Sequence, residues 1–150
     1  MRRDMGMLGL PSKLSQWTDT HALHALIEKG HESAVILYLA FGTLIGNTDM
    51  HNGNLSFLID EQMSYSTAPA YDMMPLCFAP RTSGGLPDTL ASAMIHACVP
   101  SQTWKHTWTL AKNYVDRIKA TQVWSERFKP CIKALRRHVD MASEKIERLG

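Results

Sequence analysis

The sequence predicts an α+β domain that is mostly α-helical, and three features carry that expectation. Apolar residues recur at spacings of three and four through the last third of the chain. Two short runs of strand character flank a polar tetrapeptide near the middle. A stretch rich in Pro and Gly separates these two parts. With 150 residues, 45% of them hydrophobic and 20% charged, the chain suits a single domain with a buried core, and disorder is not expected to dominate.

Taken in order, residues 1–19 hold Gly6, Gly9 and Pro11 among polar residues and read as an irregular lead-in. Asp19 or Thr20 suits the cap of a short helix through Glu28, ended by Gly30. A second helix is expected from about Glu32 to Leu44. Ala34, Leu37, Tyr38, Phe41 and Ile45 would lie on one of its faces, and Gly46-Asn47 would stop it. Residues 47–54 are rich in Asn, Asp and Gly and suit a loop. Leu55 to Ile59 and Tyr65 to Ala68 read as strands, with Asp60-Glu61-Gln62-Met63 as a hairpin turn. Pro75, Pro80, Pro87 and Gly84-Gly85 make 73–88 a long loop, of the length that is often functional.

Two helical stripes close the chain. Trp104, Trp108, Ala111, Val115 and Ile118 form the first. Phe128, Ile132, Leu135, Val139, Ala142, Ile146 and Leu149 form the second, with Pro130 in its first turn and Gly150 at its end. Core packing explains both better than a coiled-coil seam, which needs more heptads. The tryptophans at 104, 108 and 124 read as core anchors.

Charge and composition exclude several functions. Sixteen basic and fourteen acidic residues give a net charge of +2, too weak a bias to argue for direct nucleic-acid or membrane binding. No apolar run approaches the ~18 residues of a membrane span. Met1-Arg2-Arg3-Asp4 is not followed by the apolar stretch of a secretory signal, so a cytoplasmic protein is expected. Cys77, Cys98 and Cys131 form no CxxC pair and are expected to stay reduced as small buried residues. His96, His106 and His138 are too scattered in sequence to suggest zinc. Lys129, Lys133, Arg136, Arg137 and Lys145 make the last helix basic, as either a solvated face or a docking surface for nucleic acid or an acidic partner.

The chemically informative stretch is Gly46-Asn47-Thr48-Asp49-Met50-His51-Asn52-Gly53-Asn54, followed by Ala70-Tyr71-Asp72-Met73-Met74-Pro75. Phosphoryl transfer needs a carboxylate that takes the proton of the acceptor hydroxyl. It also needs oxygen ligands that hold magnesium against nucleotide phosphates. In protein kinases the base Asp and a metal-binding Asn lie five residues apart on one loop, and a second metal Asp follows a short hairpin. Asp49 and Asn54 are five apart, and Asp72 lies beyond the expected hairpin. The same Asp and Asn would also suit a turn that satisfies its own backbone.

Phe41-Gly42-Thr43-Leu44-Ile45-Gly46-Asn47-Thr48-Asp49-Met50-His51-Asn52-Gly53-Asn54-Leu55-Ser56-Phe57, with Ala68-Pro69-Ala70-Tyr71-Asp72-Met73-Met74-Pro75, strongly resembles the C-terminal part of HipA-like serine/threonine kinases. These are the toxin-type kinases of bacterial toxin–antitoxin systems. The similarity is densest over residues 37–77. It implies a protein-kinase-like C-lobe with a hairpin after the catalytic loop. It implies Asp49 as catalytic base, Asn54 and Asp72 as ligands of Mg2+ on ATP, and a protein hydroxyl as acceptor. His51 also matches a motif position, where a neutral imidazole either braces the loop or relays a proton. A HipB-like antitoxin is the partner the resemblance suggests.

Aminoglycoside and choline kinase-like phosphotransferases share Asp-x-His-x-x-Asn. In them His-Gly usually precedes the Asp, where this chain has Asn47-Thr48. Their later motif usually reads Ile-Asp-aromatic-Glu, where this chain has Tyr71-Asp72-Met73-Met74. Both departures favour the HipA-like reading.

A kinase N-lobe would add a glycine-rich loop over the phosphates and a strand lysine paired with a helix glutamate. No GxGxxG or GxxxxGK[ST] occurs. Gly6, Gly9 and Lys13 follow no strand-like run, and Lys29 and Glu32 read as solvated. A complete two-lobed kinase needs about 250 residues or more. The expectation is therefore a C-lobe without its N-lobe, impaired or inactive alone, or else a non-catalytic module that docks an antitoxin or a kinase.

Overall fold

The structure, a computed structural model, describes residues 32–59, 65–121 and 123–149. The expected helix up to Glu28, the 60–63 turn, Gly6, Gly9, Lys13 and Gly150 lie outside the described residues. What is described is α+β and mostly helical. Helix α1 spans Glu32–Ile45, strands β1 and β2 span Phe57–Ile59 and Tyr65–Thr67, and helices α2 and α3 span Ser101–Ala120 and Lys129–Glu147. Single 3-10 turns cover Asn52–Asn54 and Leu76–Phe78. The described residues form two compact units, one of 32–39 with 49–73 and the other of 40–48 with 74–149.

Helix α1 is apolar on most of its circumference, so spacing does not single out one inward face. The residues it buries are Val35, Leu39, Ala40, Leu44 and Ile45. Of the face read from spacing, Ile45 is buried, while Ala34, Leu37, Tyr38 and Phe41 are only partly covered. The helix ends in a Schellman motif. Asn47 N–H donates to Gly42 O at 2.8 Å and Gly46 N–H to Thr43 O at 3.3 Å, with Gly46 at φ +73°. Gly46 is required there, because a Cβ would stand 2.5 Å from Cys77 Sγ.

In the first unit β1 and β2 pair antiparallel, with Phe57 opposite Thr67 and Ile59 opposite Tyr65. Phe57 is buried and its neighbour Leu58 is exposed, the two-residue alternation of a strand with one covered face. Met50 and Leu55 complete the buried apolar set around the loop between α1 and β1.

In the second unit α2 and α3 pack together. Trp108 Nε1–H donates to Val139 O at 2.9 Å, and Arg136 pairs with Asp116. As the α2 number rises from 108 to 116 the α3 number falls from 139 to 136, so the helices run in opposite directions. Trp104, Ala111, Val115, Leu135, Val139, Ala142 and Ile146 are buried along this seam, as the stripes predict. Two buried positions escaped the sequence reading, Thr107 and His138. Thr107 hides its hydroxyl by donating to Thr103 O, 2.7 Å away. Leu149, expected on the stripe, is exposed. Of the three tryptophans only Trp104 is fully buried, and Trp124 is exposed.

The long segment from 79 to 100 has almost no regular structure, and the helices pin it with side chains. Trp104 Nε1–H donates to His96 O at 3.2 Å, Lys145 Nζ to Ala93 O at 2.9 Å and Cys131 Sγ to Pro87 O at 3.3 Å. The His138 ring lies between two carbonyls, with Nδ1 2.9 Å from Ala91 O and Nε2 3.3 Å from Thr43 O. Backbone carbonyls that lack a ladder are thus satisfied by side chains. The expectation of three small buried cysteines holds for Cys131 only. Cys77, in the 3-10 turn at Leu76–Phe78, is half-buried, and Cys98, in the segment between that turn and α2, is exposed. All three are free thiols. No described helix is long and apolar enough to cross a membrane.

Candidate functional site

Asp49, His51, Asn54 and Asp72 belong to the same compact unit. The Schellman cap ends α1 and the chain then runs without regular structure through Asp49 to His51. A single 3-10 turn at Asn52–Asn54 follows. The turn closes on itself, with Asn54 N–H donating to His51 O at 3.0 Å. Its side chains add two bonds. His51 N–H donates to Asn54 Oδ1 at 3.1 Å, and Gly53 N–H donates to His51 Nδ1 at 3.0 Å.

The second of these bonds defines the histidine. A ring nitrogen that accepts a hydrogen bond carries no proton, so a neutral His51 holds its proton on Nε2. Nε2 faces Asp49 Oδ1 at 4.0 Å, beyond hydrogen-bond range but close enough for electrostatic attraction. Gly53 lies close against the ring, and a Cβ there would come within 2.8 Å of His51 Cε1. The Asp49 side chain is 61% exposed, so its carboxylate stands open to solvent.

Asn54 links the loop to Asp72. Its Nδ2–H donates to Asp72 Oδ2 at 3.3 Å while its Oδ1 holds His51 N–H. A flipped amide would set donor against donor and acceptor against acceptor, so the two bonds fix its orientation. Asp72 has φ +55°, the left-handed region, and is the only non-glycine residue with positive φ among the described residues. Asp tolerates that region better than most residues, and such conformations cluster at functional sites.

Tyr71 is the residue that sequence reasoning left without a role. Its hydroxyl donates to Gly53 O at 2.7 Å and lies 3.0 Å from Ser56 Oγ. A phenol has one hydroxyl proton, so Ser56 is the donor in the second bond. Tyr71 therefore fastens the chain next to Asp72 onto the turn that carries His51 and Asn54. The adjacent Tyr-Asp pair was the available signal, but nothing local says what the phenol touches.

Among the described residues no three His, Cys, Asp or Glu side chains converge as a metal-binding group. Magnesium does not require such a group. It commonly takes one or two carboxylates together with phosphate and water oxygens. Asp72 offers one such carboxylate, while Asn54 turns its Nδ2–H toward it and keeps its ligating atom, Oδ1, on His51 N–H.

The profile of the family of HipA-like C-terminal domains matches residues 5–143. Toxin YjjJ of Escherichia coli (strain K12) is 32% identical over 111 residues, which are 74% of this chain and 25% of that protein. The chain thus spans about a quarter of the length of this curated relative. No solved structure matches the chain significantly.

Proposed function

The chain belongs to the family of HipA-like C-terminal domains, and from that premise we propose that it is the catalytic, magnesium-binding C-lobe of a toxin-type serine/threonine kinase. The observation that carries the reading is the linked set of Asp49, His51, Asn54 and Asp72. Residue types, order and spacing are those that phosphoryl transfer uses, and Asn54 bonds Asp72 across the hairpin. Asp49, exposed to solvent, takes the proton from a substrate hydroxyl as it attacks the γ-phosphoryl group of ATP. His51 braces the turn through Nδ1 and holds its Nε2 edge toward Asp49. Asn54 and Asp72 would hold a magnesium ion, which supplies charge neutralisation on the transferring group. Tyr71 keeps Asp72 beside the turn.

A glycine-rich loop and a lysine to cover the phosphates are not in these 150 residues. On this reading they come from a second lobe, and these residues alone transfer phosphate orders of magnitude more slowly. An antitoxin partner belongs to the same proposal, on the strength of the relative's name.

The test joins this region to a nucleotide-binding lobe from the same gene or a neighbouring one and follows γ-phosphate transfer to protein serine or threonine. Asp49→Ala should abolish transfer with the circular dichroism spectrum unchanged. Transfer retained by that variant defeats the base role. Calorimetry of the isolated chain should detect weak Mg-ATP binding. None at millimolar nucleotide would favour a non-catalytic docking module.

A further inference from the structure

The α2–α3 pair carries an open groove of about 810 Å3, which belongs to the second compact unit and takes no part in the loop chemistry. Its lining on α3 runs from Lys129 to Glu144, roughly 22 Å at 1.5 Å per residue. That length suits a segment of chain better than a compact small molecule. The groove is apolar within, with Val115, Trp124, Ile132 and Met141 along it. Trp124 and Met141 are among the exposed large hydrophobic residues. An exposed apolar surface rimmed by charge is a common signature of an interaction site.

The rim has a sign. Five lining residues are cationic and two are anionic. Some of this charge is already committed. Arg136 pairs with Asp116 on α2 and with Asp140 at 3.2 Å, and Lys129 pairs with Glu126. Lys119, Lys133 and Arg137 are exposed and have no ion pair or hydrogen bond among the described residues. Lys133 and Arg137 are four residues apart on α3, so they share a face, and Met141 continues the same row. Against these three cations stands one uncommitted anion, Glu144, so the balance beside the apolar floor is positive.

We propose that this groove docks an acidic amphipathic helix of a partner protein. Apolar side chains of that helix would fill the space between Val115, Ile132 and Met141, and its carboxylates would meet Lys133, Arg137 and Lys119. Nucleic acid fits less well. A phosphate backbone has nothing apolar to set on the floor formed by Val115, Ile132 and Met141. The Trp124 ring already packs on Phe128, with centroids 5.1 Å apart, and its N–H donates to Ile118 O at 2.7 Å.

The test uses the whole chain and a fluorescein-labelled helical peptide of about three turns. The peptide has Leu and Phe on one face and Glu on the rest, and the control replaces every Glu by Lys. Fluorescence anisotropy should show micromolar binding of the acidic peptide that weakens with salt, and no binding of the control. Lys133→Glu with Arg137→Glu lies on an exposed helix face, so the fold should be kept. It should cost at least tenfold in affinity for the acidic peptide and should gain affinity for the control. No binding of the acidic peptide, equal binding of both peptides, or an unchanged affinity in the double variant overturns the proposal. So does tighter binding of a single-stranded oligonucleotide at the same salt. Sedimentation that shows a dimer dissolved by the double variant would assign the groove to a second copy instead, and would overturn it as well.

Discussion

Asn54 donates its side-chain amide to the Asp72 carboxylate at 3.3 Å, across 18 positions of sequence and a β-hairpin. The contact joins two stretches that carry no common local signal. It also sets a competition, because Asp72 Oδ2 cannot keep the full strength of that bond and serve a divalent cation at once.

Magnesium should therefore be readable without turnover. The Asn54 side-chain amide resonances in a 15N-labelled chain should move as Mg2+ is added, and Asp72→Asn should remove the response. Asp49→Asn should leave it in place. Amide resonances that ignore the cation at millimolar concentration would defeat the assignment of Asn54 and Asp72 as its ligands.

Tyr71→Phe deletes the bond to Gly53 O and strands the Ser56 hydroxyl. Both groups are partly exposed, so water repairs some of the loss. The expected destabilisation is about 1 kcal/mol. The larger consequence is expected at Asp72, which loses its fastening to the turn. Apparent Mg2+ affinity should fall about tenfold, the low end for an outer-shell partner. Urea unfolding and a metal titration on the same sample separate the two effects.

Gly46→Ala places a Cβ at φ +73° and 2.5 Å from Cys77 Sγ. Left-handed backbone strain and overpacking together should cost about 2–4 kcal/mol. The helix would have to end elsewhere, which would displace the start of the Asp49 loop. Chemical denaturation measures the cost. Gly84, also at positive φ with nothing near its Cβ position, is the control, and Gly84→Ala should cost only the strain.

Alkaline pH should weaken the fold in a defined window. Burial, and then the neighbouring Cys131, push the Cys77 thiol up from 9.0 to about 11. Burial raises Cys131 and Tyr114 as well. A raised acid keeps its proton in the folded state when the unfolded chain has lost it. The stability linked to Cys77 is therefore intact below about pH 9 and lost as pH climbs toward 11. Cys77→Ser should flatten that part of the stability curve. A slope between pH 9 and 11 that is the same in both proteins would remove Cys77 as its source.

The helical part was well marked in the chain. α2 and α3 each have one apolar face, and a single partner surface explains the stripe. Helix α1 was readable as a helix but not in its orientation, because apolar residues occupy most of its surface and the covered face depends on what packs there. Thr107 and His138 could not be read as core, since each becomes tolerable inside only when a particular carbonyl comes within reach.

Periodicity and spacing, both short-range properties of the chain, were enough to mark out three helices, a hairpin and a loop bearing Asp49, His51 and Asn54 with Asp72 to follow. Which donors meet which acceptors was not. The amide of Asn54 on Asp72, the phenol of Tyr71 on Gly53 and the histidine between Ala91 and Thr43 each join residues 18 to 95 positions apart. Hydrogen bonds are directional and die away within a fraction of an ångström, so their partners are chosen only when packing has brought distant segments together.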